Sequence, residues 1–321
     1  ISFNDIGMNK KLVYLLTYFI AVSCGDENNS NELCCDSDCV EVVAFDDALG
    51  DCSSSLDYET EFSISTTNTI RIITSNNIPS HDVGLFGNYQ GSLNPNAITP
   101  QNSTYEVSLN PVQSNSKTQL LNNGPAYSFG ILFNGIELDP VAAEPWPHTK
   151  PIGSSHNWGW NLEATTAGLG LDCNNAHVQP TGKYHYHGTP IEYLDQLMPD
   201  LPIILLIGYA ADGFPIYHHY GFSVSSDITS SIEKLTSSYQ LKTGERPGDG
   251  DNAPCGTYNG VYTADYEYVE GLGHLDECNG REGVTTEFPN GTYYYVITDT
   301  YPGIPRCFVG TPSSDFTIGP E

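Results

Sequence analysis

The sequence predicts a mainly β protein: a single large β-rich domain, sandwich-like or built from irregular sheets, with a few short helices and long loops. Three observations carry this. Polar and apolar residues alternate with period 2 over 59–65, 69–74 and 104–109, the mark of half-buried strands. Charged residues make up only 16% of the chain, and Gly, Asn, Ser, Thr and Tyr fill their place, the composition of turns and strands. Helical signals are confined to 190–198 and to 230–239, where Ile232 and Leu235 stand three apart. A length of 321 residues supplies a sizeable core.

The formal charge of -28 arises from 11 Lys and Arg against 39 Asp and Glu. A nucleic-acid binder needs a basic footprint to displace phosphate counterions, so nucleic acid is excluded as a partner. Residues 1–23 read as an export signal of the lipoprotein type, starting from Met8, with Ile1–Gly7 upstream of that initiator. Lys10 and Lys11 form its basic region, 12–22 its apolar stretch, and small residues precede Cys24. Eleven apolar residues are too few to span a bilayer. The pattern resembles a bacterial lipobox, which implies lipidation of Cys24, a membrane partner through that anchor, and an extracytoplasmic location. The acidic stretch after Cys24 resembles a sorting signal for the outer membrane or surface of a Gram-negative cell.

Residues 24–57 read as an acidic, Cys-rich tether, and 58–321 as the β-rich domain. Export makes the eight remaining cysteines disulfide candidates. Cys34, Cys35, Cys39 and Cys52 are expected to staple the tether. Cys278 with Cys307 is the preferred long-range pair, and Cys173 with Cys255 follows by elimination. Within the domain, Asn134-Gly135 between apolar flanks predicts a hairpin, as does Asn259-Gly260. The continuous apolar run at 202–209 predicts a central strand. Pro180-Thr181-Gly182 and Pro289-Asn290-Gly291 each precede an aromatic stretch, so both read as turns launching strands.

The chemistry concentrates at Tyr184-His185-Tyr186-His187. In an extended strand the two imidazoles share one face and the two phenols the other. Two His at i and i+2 can converge on one ion, and His177, returned by the 180–182 turn, would be a third ligand. Three His with one open position suit catalytic zinc or copper. Asp212, at the end of the 202–209 run, is expected to ligate the metal or to orient a ligand. Only one of the adjacent His218 and His219 can face inward on a strand, and either could be that one. The cluster at 273–281 reads as a salt-bridged loop closed by a disulfide. Serine-hydrolase, HExxH, P-loop and dinucleotide motifs are absent from the sequence.

These motifs resemble the YHYH family over about 131–310. The resemblance rests on Tyr184 to His187, Asn134-Gly135, Asn175 to Pro180, Asp212 to Tyr217, Asp276 to Gly280, and Cys307-Phe308. It implies an exported bacterial protein and transfers no activity. Tyr294 departs from similar proteins, which carry His at that place; a ligand role for that His would imply an altered site here. The expected function is a metal site of His177, His185, His187 and Asp212 serving metal-dependent hydrolysis or copper binding and redox chemistry. The alternative is a non-catalytic surface module for glycan or protein, its Tyr residues stacking on the ligand and Asp-rich loops such as Asp249-Gly250-Asp251 holding Ca²⁺.

Overall fold

The computed structural model describes residues 48–148, 155–197 and 202–318. The export signal, Cys24, Cys34, Cys35 and Cys39 lie outside the described residues. The structure is mainly β, with one α-helix, Ile191–Leu197 (α1), among the described residues. That helix falls where 190–198 predicted it.

The three period-2 segments form one antiparallel sheet of β1 (Phe62–Thr66), β2 (Ile70–Ser75) and β3 (Ser103–Ser108). Alternation places Ile73, Tyr105 and Val107 in the core and leaves Thr74 and Glu106 in solvent. The next strands are β4 (Gly130–Leu132) and β5 (Glu137–Leu138), then the paired β6 (Val141–Trp146) and β7 (Asn157–Glu163). The chain continues through β8 (Ala176–Val178), β9 (Tyr184–Tyr186), β10 (Leu206–Ala210) and β11 (Pro215–His218), and later β12 (Gly280–Gly283) and β13 (Thr292–Ile297).

Eight of these make the principal sheet, in the order β12-β13-β11-β10-β4-β5-β9-β8. All neighbours are antiparallel except β13 with β11 and β5 with β9. The predicted central strand is β10, flanked on both sides. The Asn134-Gly135 hairpin forms: Gly135, at φ +80°, donates to the Leu132 carbonyl at 2.9 Å, and Asn134 Oδ1 accepts from Ile136 N–H at 3.2 Å. Against this sheet packs a core including Phe129, Ile131, Ile207, Ile216 and Phe308. Phe129 stacks on Phe308 at 5.4 Å and meets Tyr295 edge-on at 4.9 Å. Such pairs add about 0.5–1.5 kcal/mol each beyond buried area.

Three expectations are corrected. Residues 230–239 are not helical: Ile232–Lys234 pairs with Tyr220–Phe222, and Tyr239–Leu241 pairs with Tyr266–Tyr268. Leu235 is buried while Ile232 is 39% exposed, so their spacing marks no common face. Asn259-Gly260 makes a turn without a hairpin, because the Asp265 carboxylate takes the Gly260 and Tyr262 N–H groups and Tyr258 N–H bonds Gly244. Cys173 pairs with Cys52, not Cys255, and Cys278 pairs with Cys307. Gly50 bridges to Asp172 and Ser54 to Val83, which carries Cys52 to Cys173 rather than into an N-terminal knot. Cys255 is disulfide-bonded as well.

Candidate metal centre

The site grows from two short strands and the turn between them. Gly182, at φ +85°, donates to the Gln179 carbonyl at 2.8 Å, and Gln179 N–H returns to the Lys183 carbonyl at 3.0 Å. This turn folds β9 back on β8 with His177 directly opposite His185. Past the end of β9 the pairing continues, because His187 N–H donates to the Asn175 carbonyl at 2.8 Å. All three His side chains therefore stand on one face of the ladder. Their Nε2 atoms converge, His185 to His187 at 2.9 Å and His187 to His177 at 3.0 Å. A tetrahedral zinc site with bonds of about 2.0–2.1 Å has ligand atoms ~3.3 Å apart, so little adjustment is needed to enclose an ion.

Burial sets the protonation. His185 and His187 are 2% and 3% exposed, and His177 is half-buried. Desolvation, then the neighbouring imidazoles, holds His185 and His187 well below the ordinary imidazole value of 6.5; desolvation also lowers His177. The rings are thus neutral at pH 7. His177 Nδ1 lies 3.2 Å from the Leu169 carbonyl, and His185 Nδ1 lies 3.4 Å from the Lys183 carbonyl. A carbonyl only accepts, so these contacts place the proton on Nδ1 and leave both Nε2 atoms as bare acceptors. Both acceptors belong to a cluster in which His187 Nε2 can supply one proton at most. At least one of these acceptors is left without a donor, an arrangement that a cation relieves.

The cluster opens into a cavity of about 590 Å³ whose wall includes Asn96, Asp139, Glu144, Trp158, Leu169 and Gln179. None of the described residues lining it is Lys or Arg. Asp139 arrives through β5, which pairs with β9; its N–H donates to the Tyr186 carbonyl at 2.8 Å. Glu144 and Trp158 come from the β6–β7 pair. Sequence reasoning missed Asp139, Glu144 and Trp158, which carry no motif and reach the cavity only through strand pairing.

The other face of β9 is a buried polar network. Tyr184 Oη donates to Asp172 at 2.8 Å, and Asn134 Nδ2 donates to Tyr186 Oη at 2.8 Å. His81 Nε2 also meets Tyr186 Oη, at 2.5 Å. His81, unnoticed in the sequence, supports the motif from behind.

Asp212 is not brought to the three histidines. It sits in the β10–β11 turn, where its carboxylate accepts from Tyr295 Oη at 2.6 Å and from Gly310 N–H at 2.9 Å. Burial pushes it up to about 6, against these bonds. Tyr294 lies in another cluster, its hydroxyl accepting from Arg281 Nε at 2.6 Å. At 273–281 the disulfide closes the loop as expected. The salt bridge within it does not form: Arg281 turns to Tyr294 and the Phe222 carbonyl, and Glu277 pairs with Lys117. Asp249 binds the N–H groups of Asp251 and Asn252 in its own loop.

A family model described as "YHYH protein" matches residues 104–310, well over half of the chain. No curated protein and no solved structure matches it.

Proposed function

We propose that this chain, which belongs to the YHYH protein family, is an exported, lipid-anchored protein that binds zinc or copper through His177, His185 and His187. The observation that carries the reading is the convergence of three imidazole Nε2 atoms, two of them on buried rings, at 2.9 and 3.0 Å on the wall of a cavity. Carbonyls at two Nδ1 atoms orient the rings, as partners of metal-bound imidazoles do. Three protein ligands leave a position open to water or substrate. An ion held by these residues would lower the pKa of water to about 7, chemistry that suits hydrolysis of an ester or amide. Copper in the same ligands supports metal capture or redox chemistry.

Elemental mass spectrometry of the purified chain tests this. Stoichiometric zinc or copper, lost in the His185→Ala/His187→Ala variant, is expected. Metal content that does not change in that variant would rule the centre out. Trp158 and Asn96 in the cavity wall favour a second reading, a glycan-binding module. Glycan binding retained by metal-free protein and by the variant would select it.

A further inference from the structure

We propose that His218, His219 and Asp299 form a second transition-metal site. Each can bring one ligand atom within 4.8 Å of the others. The topology explains the meeting: β11 and β13 run parallel with His218 in register with Ile297, so Asp299 lies two residues beyond the end of β13. Successive residues of a regular strand point to opposite faces. Here β11 ends at His218, and the two imidazoles lie side by side with centroids 3.7 Å apart.

Two further observations point to a ligand. His218 is 6% exposed and its Nδ1 is buried without a hydrogen-bond partner, a desolvation cost that a bound cation would remove. The Asp299 side chain is half-exposed and also lines a cavity of about 430 Å³ with Thr165, Thr189, Thr300 and Tyr301, so the carboxylate borders solvent. Imidazole with carboxylate selects zinc, nickel or copper over calcium or magnesium. Asp299 is held meanwhile by groups of the protein: His219 Nδ1 donates to Oδ1 at 2.6 Å, and Oδ2 pairs with the Lys234 ammonium. Lys234 is half-exposed and can swing out to solvent. It therefore competes with the metal for the carboxylate.

Zinc is the probe, loaded onto the full chain and counted by mass spectrometry after dialysis. The wild type is expected to hold two equivalents. His185→Ala/His187→Ala and His219→Gln/Asp299→Asn should each hold one, and Lys234→Met should bind the second equivalent several-fold more tightly. The His219→Gln/Asp299→Asn variant keeps the buried His218 in place, so loss of metal is not loss of fold. If its stoichiometry equals that of the wild type, the second site is overturned. A single wild-type equivalent lost only with His185 and His187 overturns the second site and leaves the first. One lost only with His219 and Asp299 does the reverse, and no bound zinc overturns both.

Discussion

Tyr184, His185, Tyr186 and His187 divide their work by face, and single substitutions should separate the two halves. Tyr184→Phe removes a buried hydroxyl bonded to Asp172 and is expected to cost about 1–3 kcal/mol of stability. Denaturant unfolding reads that cost, while metal stoichiometry should not change. His187→Ala should show the opposite pattern, with metal lost and the fold kept. Asp212 makes a different residue-scale prediction. Its folded pKa is raised from 3.8 to about 6, so the folded state binds more protons than the unfolded chain between those values. The resulting stability is full below about 3.8 and is lost as pH rises through about 6, up to about 3 kcal/mol. The stability difference between wild type and Asp212→Asn, followed from pH 4 to 7, should shift in the wild type's disfavour across that window. A difference independent of pH would disprove the assignment.

At the scale of elements, the β8–β9 ladder is the device that makes the site. A Cβ on Gly182 would stand 2.0 Å from Thr99 Oγ1 and 3.1 Å from the Ala97 carbonyl, at φ +85°. Gly182→Ala is expected to cost about 1–3 kcal/mol and to weaken zinc binding, since the turn sets His185 opposite His177. Calorimetric titration reads the binding and denaturant unfolding the stability. The Cys52–Cys173 bridge spans 121 residues and holds the chain four residues before His177. Cys52→Ala/Cys173→Ala should destabilise the domain by about 2–5 kcal/mol, read from the unfolding midpoint. Elements with their own signal were legible in the sequence: the three period-2 strands, the Asn134-Gly135 hairpin, the Pro-X-Gly turn before β9 and the short helix. The 230–239 segment was misread because its strands form only against partners elsewhere in the chain. No local period records those partners.

For the molecule as a whole, burial sets the response to acid. Desolvation lowers the pKa of His81, His177, His185, His187 and His218, the last to about 3. The folded state therefore binds fewer protons than the unfolded chain below 6.5. Stability from these groups is full above 6.5 and is lost as pH falls below it. Thermal unfolding of metal-free protein should show the midpoint falling from pH 7 to 5, more steeply in the wild type than in His185→Ala/His187→Ala.

Residue order alone determined the β class, the family and the pairing of His177 with the two motif histidines, because alternation, turn chemistry and i, i+2 spacing are local. Cys278 with Cys307 was also recovered. Tertiary structure alone decided that Asp212 stands apart from the histidines, that Cys173 meets Cys52, and that Asp139, Glu144 and Trp158 wall the cavity. It also brought His218 and His219 to Asp299. Each of these meetings joins segments distant along the chain through strand order in a mixed sheet. Strand order follows from how many faces can be buried together, which no short stretch of sequence encodes.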